Sequence, residues 1–90
     1  MLETNAMVPV SLHYWAAARA AAGVTEEEIQ ARTVAEALRF ASYERSDPHF
    51  DRVIKASSML IDGLTAHPAD LERLLTAPVR VEILPPFAGG

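Results

Sequence analysis

Cysteine is absent from all 90 residues, which excludes disulfide staples, thiolate metal sites and cysteine nucleophiles and is compatible with a reducing compartment. Basic residues are few. Eight Lys plus Arg against twelve Asp plus Glu leave a net charge of −4, which repels phosphate backbones, so no nucleic-acid partner is expected. Lys55 is the only lysine. No apolar run approaches the roughly eighteen residues that span a bilayer, and residues 1–6 lack the basic start and apolar stretch of a secretory signal. A cytoplasmic protein with no membrane partner is expected. His13, His49 and His67 share no metal-ligand spacing, so they read as surface side chains and no metal site is expected. What remains is a chain of 9.8 kDa with 50% hydrophobic and 22% charged residues, enough for one small core and no second domain.

Between residues 7 and 15, Val8, Val10, Leu12 and Tyr14 alternate with Pro9, Ser11, His13 and Trp15, the period-two pattern of a half-buried strand. Ala16–Ala22 is alanine except for Arg19 and is followed by Gly23, which predicts a short helix with a left-handed stop. Residues 24–32 set Thr25, Glu27, Ile29 and Ala31 against Glu26, Glu28 and Gln30, as in an edge strand guarded by glutamates; a helix start is the competing reading. Thr33-Val34-Ala35-Glu36 is a capping box, in which the Thr33 hydroxyl accepts the Glu36 N–H and the Glu36 carboxylate reaches back to Thr33. Val34, Ala37, Leu38 and Ala41 then form a stripe that lies on a sheet, with Arg39 beside Glu36 on the wet side and an end near Ser46, before Asp47-Pro48.

Residues 49–57 carry no decisive pattern. A short strand is predicted over 58–62, a turn at Asp62-Gly63, a brief strand over 64–67 and one or two helical turns over 68–75. Val79–Leu84 is the clearest strand after the first, with Val79, Val81 and Ile83 on one face and Arg80, Glu82 and Leu84 on the other. The predicted class is α+β: a ubiquitin-like β-grasp with a mixed four- to five-stranded sheet and one main helix across one face. Its first and last strands are expected to run parallel in the middle. Residues 1–6 read as a disordered start, 7–85 as the domain and 86–90 as a flexible reactive tail.

That tail reads Pro85-Pro86-Phe87-Ala88-Gly89-Gly90. Prolines restrict φ and favour an extended rod, about 3.1 Å per residue. Two glycines carry no side chain and let the backbone thread a narrow channel. A terminal carboxylate is ionised at neutral pH and needs activation before it reacts as an acyl donor. Attack on ATP makes an acyl-adenylate, and a sulfur nucleophile displaces AMP to leave a thiocarboxylate. No carrier side chain takes part, which suits a sequence with no catalytic cluster. The competing reading is a flexible end or a cloning remnant.

Val81-Glu82-Ile83-Leu84-Pro85-Pro86-Phe87-Ala88-Gly89-Gly90 resembles the end of the small, sulfur-carrying subunit of molybdopterin synthase. The segment from Tyr14-Trp15-Ala16-Ala17-Ala18-Arg19 to Gly23 is similar to that family's first-strand region, as are Thr33-Val34 with Glu36-Ala37-Leu38, and Leu60-Ile61-Asp62-Gly63. The likeness spans residues 7–90, and the Leu-Pro-Pro lead-in favours the molybdopterin branch over the thiazole branch. The chain departs from the pattern at Ala77-Pro78, where relatives have Gly-Asp. The resemblance implies a non-catalytic, sulfur-donating subunit of a sulfurtransferase. Gly90, with Gly89 before it, would be adenylated by an ATP- and zinc-using activating enzyme and then thiolated, this chain binding no cofactor itself. The thiocarboxylate would enter a large catalytic subunit and convert cyclic pyranopterin monophosphate into molybdopterin. Carriage of sulfur for thiamine or cysteine synthesis, lysine modification by Gly90, and a passive ubiquitin-like interaction module are the alternatives.

Alternation also predicts a docking patch. If Val10, Leu12 and Tyr14 face the helix, Trp15 faces away, as Leu84 does relative to Val81 and Ile83. Trp15, Leu84, Pro86 and Phe87, with Leu60 if Met59 and Ile61 point inward, would form an apolar partner surface at the root of the tail. The opposing possibility is that residues 16–22 or 49–57 cover Trp15. Arg19 either pairs with an acidic group of the partner or keeps its helix soluble.

Overall fold

The strand period seen at the start of the chain builds β1 (Val8–Tyr14), whose inward residues Val10, Leu12 and Tyr14 are at most 1% exposed. The structure, a computed structural model, describes residues 6–86. After β1 come α1 (Ala16–Ala22), β2 (Glu26–Ala31), α2 (Val34–Arg45), α3 (Pro48–Ala56), β3 (Ser58–Ile61), β4 (Leu64–Thr65), α4 (Pro68–Leu71) and β5 (Val79–Leu84). The five strands form one mixed sheet in the order β2-β1-β5-β3-β4. β1 and β5 run parallel at its centre, with Leu12 opposite Val81 and Tyr14 opposite Ile83. β2 is antiparallel to β1, and β3 is antiparallel to β5. This is the β-grasp arrangement, and the two most apolar strands take the two central places.

One face of the sheet is covered. Val34, Ala37 and Ala41 of α2, Ala18 of α1 and Phe50 of α3 pack with the inward residues of β1 and β5 into a single core. The alanines matter because they let the helices approach the sheet closely. Arg45 holds the helix layer to the sheet edge. Its guanidinium lies 4.6 Å from the Phe50 ring centroid and 5.6 Å from that of Tyr14, a double cation–π placement. Its Nε donates to the Ala22 carbonyl at 3.1 Å, its Nη1 to the Ala41 carbonyl at 3.0 Å, and its Nη2 pairs with Glu27 Oε2 at 2.9 Å. Glu27 also accepts the buried Tyr14 hydroxyl.

Several local expectations change. The segment 49–57 is largely α3, capped by Asp47, whose carboxylate accepts the His49 N–H at 2.9 Å, and started by Pro48. Asp47-Pro48 therefore opens a second helix as well as following the first, which ends at Ser46 with φ 49°. α2 is the main helix across the covered face, and α3 packs beside α1 and adds Phe50 to the core. Thr33 does accept the Glu36 N–H at 3.0 Å, but the Glu36 carboxylate takes the Arg32 N–H at 2.7 Å and the Arg32 guanidinium at 3.0 Å. The box closes one residue earlier than expected, and Glu36 pairs with Arg32 rather than Arg39. β4 is only Leu64–Thr65, because His67 is already the residue before α4, its N–H donating to Asp70 at 2.8 Å. α4 stops at Leu71, well before 75. The tails expected at 1–6 and 86–90 lie, apart from Ala6 and Pro86, outside the described residues.

Candidate docking groove at the end of the central strands

Trp15 follows β1 in extended conformation, φ −116° and ψ 150°, and its N–H donates to the Ile83 carbonyl at 3.2 Å, continuing the β1–β5 ladder by one step. The strand period carries its indole to the face of the sheet opposite the core. The next residue, Ala16, has φ 48°, left-handed for a residue with a Cβ, and turns the chain sharply into α1. That strain sits at the mouth of the site, where unusual backbone tends to concentrate.

Trp15 is 43% exposed, so neither α1 nor α3 covers it. It forms one wall of a hollow of about 780 Å³, with Ala17 and Arg19 of α1 beside it and Leu84, Pro85 and Pro86 along the exit of β5. Ala56 and Ser58, at the junction of α3 and β3, close the far side. The alanines leave room that larger residues would fill. Arg19 stands exposed at the rim and makes no ion pair with a described residue, which leaves its guanidinium free for an acidic group on a partner.

The indole is fixed by a polar tie. Trp15 Nε1 donates to Glu82 Oε1 at 2.8 Å, and Glu82 Oε2 pairs with Arg80 Nε at 2.9 Å. The Arg80 guanidinium first, and the Trp15 indole N–H second, hold the Glu82 carboxyl below the usual glutamate range. On the same open face His13 stands opposite Glu82 in register, with its Nδ1 3.2 Å from Glu26 Oε1 on the edge strand. Glu26 and Glu28 are exposed on that edge, as an acidic guard against further strand pairing requires.

Of the residues expected at the partner surface, Trp15, Arg19, Leu84 and Pro86 come together here. Leu60 does not. It pairs with Glu82 across β3 and β5 and shares the open face, because Met59 is buried, but it does not line the hollow. Phe87, Gly89 and Gly90 lie outside the described residues. Sequence reading missed Ala56, which belongs to the unassigned helix. It also missed Glu82 as the partner of Trp15, although the alternation of Arg80, Glu82 and Leu84 already put that carboxylate on the right face.

Chemically the groove is apolar with a cation at its rim. Among the described residues no group of three or more His, Cys, Asp or Glu is placed to hold a metal ion, and no helix is long and apolar enough to cross a membrane.

No family model matches the sequence, and no curated protein matches it. Solved structures do. Small archaeal modifier protein 1 from Methanosarcina acetivorans is 27% identical and superposes with a TM-score of 0.76 over 93% of this chain and 98% of that one. A putative molybdopterin converting factor subunit 1 from Pyrococcus furiosus is 21% identical, with a TM-score of 0.71 over 89% of this chain and 99% of that one. A complex of subunits 1 and 2 of molybdopterin-converting factor from Helicobacter pylori matches at 16% identity and a TM-score of 0.63, over 91% of this chain and 99% of the matched chain. The structural neighbours are thus molybdopterin converting factor subunit 1 and small archaeal modifier proteins, and this chain shares their β-grasp fold.

Proposed function

We propose that this chain, which has the fold of the ubiquitin-like sulfur carriers, carries sulfur for molybdenum cofactor biosynthesis on the carboxylate of Gly90. The observation that carries the reading is the course of β5. It runs through the centre of the sheet and delivers Leu84-Pro85-Pro86 along the apolar groove that ends in Trp15 and Arg19, so the residues beyond Pro86 start from a rigid, recognisable base. Further support is the resemblance of residues 81–90 to the end of the molybdopterin synthase small subunit and the fold shared with molybdopterin converting factor subunit 1.

On this reading the Gly90 carboxylate attacks ATP in an activating enzyme, pyrophosphate leaves, and a sulfur nucleophile then displaces AMP to give a thiocarboxylate. The groove serves recognition. Trp15 and Leu84 present apolar anchors to the large catalytic subunit, and Arg19 meets an acidic group at the rim. The thiocarboxylate then donates its sulfur to cyclic pyranopterin monophosphate in that subunit. ATP, zinc and the acid–base groups belong to the partners.

The likeness to small archaeal modifier protein 1, at the higher TM-score, favours a second reading in which activated Gly90 is joined to lysine amines of other proteins. Co-expression with an activating enzyme and a sulfur source, followed by intact mass measurement, separates the two. An oxygen-for-sulfur exchange at residue 90 supports the carrier, and isopeptide adducts on other proteins without that exchange support the modifier. An unchanged mass, or a mature chain that runs past Gly90, overturns both. Molybdopterin formation on adding the large subunit and the pterin then tests the pathway.

A further inference from the structure

The helix layer, on the side away from the groove, carries a second apolar patch. Phe40 and Tyr43 are one turn apart on the outer face of α2 and are 39% and 82% exposed. With Arg39 and Ser42 they line a shallow hollow of about 550 Å³. Single exposed apolar side chains are ordinary, but two large aromatics side by side are a contiguous surface.

The flanking charges identify what fits it. Arg39 and Glu44 are exposed, and neither makes an ion pair with a described residue, whereas Glu36 and Arg45 on the same helix are both paired. The order Arg39, Phe40, Ala41, Ser42, Tyr43, Glu44 has the spacing of heptad positions g, a, b, c, d and e. In a parallel pair of helices related by a two-fold axis, positions a and d meet in the seam, and g of one helix reaches e of the other five residues further on. Phe40 and Tyr43 would fill the seam, and each Arg39 would lie beside the Glu44 of the opposite copy. The patch is complementary in charge to itself, and its own charges cancel in a chain of net charge −4.

We propose that this face of α2 is the contact through which two copies of this chain pair in parallel. The seam is about one turn long, so the association is weak, with a dissociation constant of roughly 0.1–1 mM. None of Phe40, Tyr43, Arg39 and Glu44 lines the groove at Trp15, so pairing leaves both grooves open.

Sedimentation equilibrium or diffusion measurements on the full chain, from about 10 μM to about 2 mM, test this because self-association depends on concentration. The wild type is expected to shift from monomer to dimer over that range. Arg39→Glu places like charges across both contacts and should raise the dissociation constant about tenfold. Arg39→Glu combined with Glu44→Arg should restore it, and Tyr43→Ser should leave a monomer. All three substituted positions are on the surface, and circular dichroism checks that the helices persist. A wild type that stays monomeric throughout overturns the proposal. So does a dimer insensitive to Arg39→Glu, or a double variant that fails to recover.

Discussion

The indole N–H of Trp15 donates to Glu82 Oε1 at 2.8 Å, tying the residue that follows β1 to the neighbouring parallel strand β5. The contact joins positions 67 residues apart and holds the large ring upright beside Leu84, at the mouth of the groove. An exposed tryptophan fixed in this way has little rotamer freedom left to lose, which suits the anchoring role proposed for it.

This tie should titrate in acid. A carboxyl whose folded-state pKa is depressed contributes fully above its ordinary value, here 4.5, and loses that contribution as pH falls through the depressed value. Trp15 is the only tryptophan, so its fluorescence reports the tie alone. Emission should be constant from neutrality down to the ordinary glutamate value and change below it. In Glu82→Gln that transition should vanish.

Tyr14 behaves in the opposite sense. Burial first, then the hydrogen bond and negative charge of Glu27, push its phenol well above the ordinary 10.0. A raised folded-state pKa means the contribution is intact below pH 10.0 and is lost as pH rises beyond it. Urea unfolding of the wild type should weaken steadily above that pH, and Tyr14→Phe should show a smaller alkaline loss. At neutral pH Tyr14→Phe should cost about 1–2 kcal/mol, because the partly buried Glu27 carboxylate keeps Arg45 but loses the hydroxyl.

Ala16 offers a stabilising substitution. Its φ of 48° is costly with a Cβ present and free of that cost for glycine. Ala16→Gly should raise the unfolding free energy by about 0.5–1 kcal/mol in denaturant titration, with no change in helix content. A loss of stability would mean that the strain is relieved by contacts of the alanine methyl group.

The groove predicts a binding phenotype without a folding one. Trp15→Ala with Leu84→Ala removes both apolar anchors, yet neither residue is in the buried core. If the proposed function holds, affinity for a large molybdopterin synthase subunit, measured calorimetrically, should fall roughly a hundredfold while the unfolding midpoint stays close to the wild type. Unchanged affinity in the folded double variant would remove the groove from the interface.

Much of this was legible in the residues themselves. Alternation placed Val10, Leu12 and Tyr14 inward and Trp15 outward, and Thr33, Gly23 and Asp62-Gly63 marked their cap, stop and turn, because strand period and terminus chemistry are properties of neighbours in the chain. α3 was not legible. Only Phe50 of its residues is fully buried, and Asp47-Pro48 reads equally as an ending and a beginning.

Sequence by itself determined which side of the two central strands is apolar, where α1, α2 and α4 start, and that a Pro-Pro-Phe-Ala-Gly-Gly segment follows the last strand, since these depend on local sterics and hydrogen bonding. The tertiary structure alone decided that Arg45 stacks on Phe50 while bonding Glu27, and that Trp15 finds Glu82 beside Ala56 and Leu84. Those partners are set by strand register and by how closely helices settle on the sheet, and no spacing along the chain encodes them.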